Sequence, residues 1–237
     1  MYRFFNKGVK QMLNKRLVGV AFGLCLSGVS TAAFAWGLPS LGGGSSSSHA
    51  SPAQATSLQN KIVAEYALGQ ASVLKAQSHY ALAYGQKKMA ARLKAKATAL
   101  GSGVTTSKRN LQTAISMSHT GSKKLAYDMA HSKLMTAASR KQFAKGTAYY
   151  AGGVLALTRV IPQLKPFMTS AQGAIRGASF TQVMSVKRKL ATGMFLAENA
   201  PSYVGGLVKT SGQIVSYARK NNVHLPASAT SALGKLS

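Results

Sequence analysis

Apolar side chains recur every three or four positions through most of this 237-residue chain, and that spacing places them along one face of an α-helix. One such stripe comprises Leu58, Ile62, Tyr66, Gly69, Val73, Tyr80 and Tyr84, and a second comprises Met89, Leu93, Ala97 and Leu100. The region is also rich in Ala, Leu, Lys, Gln and Met, which favour helices. The sequence therefore predicts an all-α fold, an elongated antiparallel bundle of five to six amphipathic helices joined by short connections.

Glycines predict several of the helix boundaries. Gly85 predicts either a kink in one long helix or a break between two helices, and Gly101 and Gly103 predict the end of the following segment. Gly121 is a candidate interruption of the next helix. Gly177 follows a charged residue, Arg176, and is predicted to end a helix rather than to belong to a membrane dimerisation motif.

Hydroxyl residues and prolines predict the remaining boundaries. The expected N-caps are Thr105 or Thr106 and Ser139. Pro162 and Pro166 are expected to bend their helix, because proline removes a backbone donor and clashes with the preceding turn. Pro201 suits a first helical turn, so we expect two separate helices over residues 179–199 and 201–221.

The first 35 residues have the three parts of a secretory signal: a basic start, an apolar run over residues 17–26, and a small-x-small motif that ends at Ala35. We therefore expect cleavage before Trp36 and a periplasmic or secreted protein. The Gly- and Ser-rich stretch that follows has too few apolar side chains to offset the entropy of ordering it. The predicted organisation is a signal peptide at 1–35, a flexible linker at 36–52, the helical bundle at 53–225 and a C-terminal tail at 226–237.

The charge of the chain is strongly unbalanced. Thirty Lys and Arg residues face three acidic residues, Glu65, Asp128 and Glu198, which gives a formal charge of +27. Five of the cations lie in the predicted signal peptide, as does the only cysteine, Cys25. Ordinary acid–base and metal chemistry uses carboxylates, and thiolate metal sites and cysteine nucleophiles need a cysteine, so we expect a non-enzymatic protein with no cofactor, no metal and no catalytic residues.

The few titratable pairs support the same expectation. Asp128 and His131 would share a helix face, and we interpret them as a local pair rather than a base with its orienting carboxylate. A metal site from His79, His119 and His131 is not favoured, because no two of them have helical metal-ligand spacing.

The basic residues form three groups that have no acidic neighbours to interleave with. The first group is Lys87, Lys88, Arg92, Lys94 and Lys96, the second is Arg140, Lys141 and Lys145, and the third is Lys187, Arg188 and Lys189. Anions from outside the chain must take the place of the missing carboxylates. The sequence therefore predicts that these residues bind a polyanion or an anionic membrane surface.

The expected export narrows the choice of anion to lipopolysaccharide, anionic lipid or extracellular DNA. An alternative is a periplasmic scaffold or chaperone-like protein whose carboxylate-poor surface is an adaptation to an acidic exterior, since few carboxylates means little stability lost on acidification. A third possibility is a membrane-active effector. The longest uncharged stretch near Gly173, over residues 146–158, is too short to span a bilayer.

Overall fold

A computed structural model of the chain describes residues 50–102, 106–134 and 136–236, and these residues form helices without a strand. The six helices are α1 (Pro52–Ala83), α2 (Lys87–Gly101), α3 (Lys108–His131), α4 (Ala137–Arg176), α5 (Val183–Lys220) and α6 (Ala227–Gly234). The predicted all-α helical bundle is confirmed. The predicted signal peptide, and the predicted linker except for its last three residues, lie outside the described residues.

Side-chain caps start three of the helices. Ser51 and Gln54 form a capping box at α1, in which each side chain accepts a hydrogen bond from the other residue's backbone N–H. Ser107 caps α3 and Thr136 caps α4. The predicted caps at Thr106 and Ser139 are wrong by one and three residues, because several hydroxyl residues cluster at each start; Thr105 lies outside the described residues.

The chain breaks at Gly85 rather than bending there. Gly85 has a φ of 75°, a left-handed conformation that L side chains rarely adopt, and the N–H of Gln86 returns to the carbonyl of Ala81 at 2.8 Å. The reversal folds α2 back on α1, where the Ser78 hydroxyl donates to the carbonyl of Ala90 at 2.8 Å. A glycine at this position is therefore what separates α1 from α2.

Helix α4 continues through Pro162 and Pro166, and the two separate helices expected around Pro201 are a single helix, α5. A proline inside a helix costs about 3 kcal/mol. Burial of a large apolar side chain contributes about 1.5–3 kcal/mol, and residues on both sides of each proline are buried. The flanking buried residues are Leu157, Leu164 and Phe167 in α4, and Leu196, Val204 and Leu207 in α5. Tertiary packing therefore outweighs the local preference of proline.

Two glycine predictions have opposite outcomes. Gly121 does not interrupt α3, which runs from Lys108 to His131. Gly177 is the C-cap of α4, as expected, and its N–H donates to the carbonyl of Gly173 at 2.9 Å. The glycine at 121 follows from packing, since a Cβ atom there would stand 2.7 Å from Oε1 of Gln77 in α1.

Helix α1 is the centre of the bundle and contacts α2, α3, α4 and α5. Contacts with α4 occur in opposite order along the two helices, through the pairs His79–Gln142, Gly69–Gly153 and Glu65–Gln163. Contacts with α5 occur in the same order, through the pairs Gln59–Gly193 and Tyr84–Tyr217. The start of α5 therefore lies near the start of α1, and the end of α5 lies near the end of α1.

Small residues set the distance between α1 and α4. A Cβ atom at Gly153 would stand 2.9 Å from the carbonyl oxygen of Gly69 and 2.9 Å from the backbone N of Val73. Its neighbour Gly152 has no atom within 4 Å of the same position. Only one glycine of this pair therefore permits the close approach of the two helices.

Within the predicted C-terminal tail, residues 227–234 form the helix α6, which packs against α4. Ala229 and Leu233 are the buried residues of that helix. None of the helices in the described part of the chain combines the length and the apolar composition that a membrane span requires.

Candidate functional site

The three predicted basic groups lie on three helices. We call them the α2 group (Lys87, Lys88, Arg92, Lys94 and Lys96), the α4 group (Arg140, Lys141 and Lys145) and the α5 group (Lys187, Arg188 and Lys189). Every side chain is exposed except Lys96, which is half-buried. None of the eleven makes an ion pair with an acidic residue in the described part of the chain. All three groups are therefore available to outside anions.

The structure places these groups at two ends of α1 rather than on one face. Gln142, next to Lys141, bonds to His79 near the C-terminus of α1, and the α2 group begins directly after the turn that ends α1. Lys189 lies instead beside Gln59, twenty residues earlier on α1. At 1.5 Å per residue the α5 group is about 30 Å along α1 from the α4 group.

Gln59 positions the α5 group. Its Nε2 donates to the carbonyl of Lys189 at 2.8 Å, and its Oε1 accepts from the N–H of Gly193 at 2.9 Å. Lys189 and Gly193 are four residues apart, so one buried side-chain amide bonds to both ends of a helical i to i−4 pair. The backbone beneath the three basic side chains is thus held directly to α1.

A cleft of about 520 Å³ lies where α3 ends, α4 begins and α5 ends. Lys133, Arg140 and Lys220 line it, one from each of these three regions, together with His131, Asn221 and Asn222. Among the described residues, no carboxylate lines the cleft. We call this site the cationic cleft, and Arg140 is the one residue of the predicted groups that lines it.

Aromatic packing and hydrogen bonds hold the cleft together. The Tyr217 hydroxyl donates to the carbonyl of Ser132 at 2.6 Å and joins the end of α5 to the residues after α3. Its ring packs on Phe143 of α4 at 5.2 Å between centroids. Arg140 donates through Nε to the carbonyl of Leu134 at 3.3 Å. These contacts fix the backbone segments that carry the cations, which limits the conformational entropy lost when an anion binds.

His131 is oriented by its own helix. Its Nδ1 lies 2.8 Å from the carbonyl of Tyr127, and because a carbonyl only accepts, Nδ1 carries the hydrogen. The imidazole also stacks on the Tyr127 ring at 4.3 Å.

The cleft contains two cations, Lys133 and Lys220, that the sequence analysis did not select. Lys220 belongs to a dibasic pair with Arg219 at the end of α5, and Lys133 is an isolated cation in the connection after α3. In a bundle of adjacent helices, a helix end and a neighbouring helix start meet in space. Cations that flank helix ends are the signal by which such a site could be recognised.

Two of the three acidic residues have polar partners of their own. Asp128 pairs with Lys124 and accepts from Gln86 Nε2 at 2.7 Å, so it does not orient His131. Glu65 accepts from Gln163 Nε2 at 2.9 Å. Within the described residues, no group of three or more histidine, cysteine or acidic side chains could hold a metal ion.

Four tyrosines, two in α1 and one each in α4 and α5, stay protonated at neutral pH. Burial raises the pKa of Tyr203 to about 12, although hydrogen bonds with Ser118 and Gln70 oppose the increase. Burial also raises the pKa of Tyr66, Tyr80 and Tyr150 well above that of an exposed phenol. These phenols are structural groups rather than acids or bases at neutral pH.

Comparison of the chain with protein-family models, with curated proteins and with solved structures gives no match in any of the three.

Proposed function

We propose that this is a non-enzymatic exported protein, periplasmic or secreted, whose antiparallel helical bundle binds envelope or extracellular polyanions. Lipopolysaccharide phosphates, anionic lipid headgroups and extracellular DNA have the required chemistry. The observation that carries the proposal is the cationic cleft, in which cations from three regions of the chain converge without a carboxylate.

The donors of the cleft suit phosphate or sulfate oxygens. Arg140 has a planar fork of N–H groups, Lys133 and Lys220 supply mobile ammonium groups, and Asn221 and Asn222 add neutral amides. Uncompensated cations hold diffusible counter-ions near the surface. A bound polyanion replaces them, so the affinity must fall steeply with added salt.

The predicted basic groups extend the surface beyond the cleft. Lys141 and Lys145 follow Arg140 on α4, and Gln86 contacts Asp128, which brings the start of α2 beside the last turn of α3. The α5 group, about 30 Å away along α1, would contact a more distant part of the same polymer. A polymer with regularly spaced charges therefore fits this surface better than a single small anion.

Heparin chromatography with a salt gradient tests the proposal. The variant Lys133→Gln/Arg140→Gln/Lys220→Gln removes the three cations of the cleft. The control variant Lys187→Gln/Arg188→Gln/Lys189→Gln removes the same charge from the α5 group. We expect both to elute earlier than the unmodified protein and the cleft variant to elute first, because its cations converge on one site.

If the two variants elute at the same salt concentration, heparin retention depends on net charge alone and the role of the cleft is refuted. That result is what the alternative, a basic surface adapted to an acidic exterior, predicts. A short DNA duplex gives a quantitative second measurement. The slope of log K against log salt decreases in magnitude by about 0.9 for each phosphate contact removed. Dye leakage from anionic vesicles would favour the membrane-active alternative.

A further inference from the structure

A second cavity, of about 1040 Å³, lies between the C-terminal half of α5 and α6. It has twice the volume of the cationic cleft. Its position follows from the packing of α6, which contacts mainly α4 and leaves the neighbouring face of α5 open. We call this cavity the α5–α6 groove.

Apolar side chains line most of the groove. They are Val208 and Val215 of α5, Val223 and Leu225 of the connection, and Leu233 and Leu236 at the C-terminal end. The short α6 carries only one large apolar residue, Leu233, so it does not fill the space. Glycines at 212 and 234 leave additional width.

Cations border this apolar surface. Lys209, Arg219, Lys220 and His224 line the groove and are exposed to solvent, and none of the lining residues is acidic. An occupant with an alkyl part and a neutral end would leave these cations without a partner. An occupant with one anionic end would satisfy both the apolar lining and the cations.

We propose that the α5–α6 groove binds a long-chain fatty acid, with the alkyl chain along Val208, Val215 and Leu233 and the carboxylate at Lys209 or Arg219. The volume of the groove, about 1040 Å³, lies just above the range of about 300–1,000 Å³ that is typical of small-molecule sites. Each buried methylene should strengthen binding about fourfold, which corresponds to about 0.8 kcal/mol. This inference goes beyond the polyanion function and depends on different residues, apart from Lys220.

Gly212 allows a direct test. A Cβ atom there has no neighbour within 4 Å, and the residue lines the groove on the exposed side of α5. In the variant Gly212→Phe the ring would occupy the space proposed for the alkyl chain. Gly205→Phe is the matched control, because Gly205 is exposed on the same helix, has no neighbour within 4 Å and lines none of the described cavities.

The measurement is fluorescence titration of the full chain with cis-parinaric acid, followed by displacement with palmitate, laurate or hexadecanol. We expect saturable binding, stronger displacement by palmitate than by laurate, and at least tenfold weaker binding in Gly212→Phe than in Gly205→Phe. The variant Lys209→Gln/Arg219→Gln should weaken palmitate at least threefold and leave hexadecanol unchanged.

Absence of saturable binding, equal affinities in the two phenylalanine variants, or equal displacement by hexadecanol and palmitate would each overturn the proposal. Heparin elution of Gly212→Phe separates this inference from the polyanion function. That variant keeps every cation, so its heparin elution should be unchanged while its fatty-acid binding is lost. Failure of one proposal would therefore not be mistaken for failure of the other.

Discussion

Substitution of Tyr66 by phenylalanine tests the energetics of the central helix. Tyr66 is fully buried in α1, and its hydroxyl has no hydrogen-bond partner in the structure. A buried polar group without a partner costs about 1–3 kcal/mol. Tyr66→Phe removes that group while it keeps the ring, so we expect the free energy of unfolding to rise by about 1 kcal/mol at pH 7.

Tyr150→Phe is the matched control, because Tyr150 is equally buried but its hydroxyl donates to the carbonyl of Leu207 at 3.0 Å. Loss of a hydrogen bond of this kind costs about 0.5–1.5 kcal/mol. The two variants therefore make the same chemical change, and we expect their effects on stability to have opposite signs. The difference between them should be about 2 kcal/mol.

The pH dependence gives the same substitution a second, independent readout. Burial raises the pKa of Tyr66 well above 10, the value expected in the unfolded chain. Below pH 10 the phenol is protonated in both states and contributes no pH dependence. Above pH 10 only the unfolded chain loses the proton, so stability falls by about 1.4 kcal/mol per buried phenol at pH 11. Tyr66→Phe should abolish one such contribution, and its advantage should grow between pH 10 and 11.

Urea unfolding followed by far-UV circular dichroism at pH 7 and pH 11 provides the measurement. A shift of the midpoint at an unchanged m-value reports a change in stability. A Tyr66→Phe variant that is less stable than the unmodified protein at pH 7 would refute the reasoning, because it would mean that the hydroxyl has a stabilising partner. An advantage that does not increase at pH 11 would refute the burial argument for its pKa.

Three further outcomes are expected. Gly153→Ala should lower the free energy of unfolding by about 1–3 kcal/mol, because the new Cβ atom meets the backbone of α1. Gly152→Ala should raise the free energy of unfolding by about 0.5–1 kcal/mol, because alanine has the higher helix propensity. The thermal midpoints of the two variants should therefore shift in opposite directions. Gln59→Ala should cost about 2–3 kcal/mol in urea unfolding, since it leaves the bonds to Lys189 and Gly193 unmade, while Gln213→Ala on the exposed face of α5 should be neutral. Helicity should persist from pH 7 to 3, because so few carboxylates take part in the fold; cooperative unfolding above about pH 4 would contradict this expectation.

The helices were predictable where the apolar stripe is long, as in α1 with Ile62, Tyr66, Val73 and Tyr80, because the 3.6-residue period records which face is buried. The helix break predicted at Pro201 was wrong. Pro162 and Pro201 each carry a local penalty visible in the sequence, whereas the burial that outweighs it comes from other helices. Local signals therefore predicted helix type better than helix continuity.

The candidate sites were likewise predictable only in part. The α2, α4 and α5 groups were recognisable as exposed cations, because runs of like charge seldom occur inside a core. Their separation along α1, and the convergence of Lys133, Arg140 and Lys220, depend on which helix ends meet. Lys133 follows α3, Arg140 belongs to α4 and Lys220 ends α5. No regular sequence spacing relates the three residues, so their convergence could not be predicted from the sequence.

The sequence alone determined the helical class and the charge imbalance, since periodicity and composition are properties of single segments and of the chain as a whole. Only the tertiary structure decided that α5 is continuous through Pro201, that residues 227–234 form α6, and that α6 leaves a groove beside α5. These features depend on contacts between residues distant in sequence. Burial against a neighbouring helix changes the free energy of a segment by more than its own local preferences do.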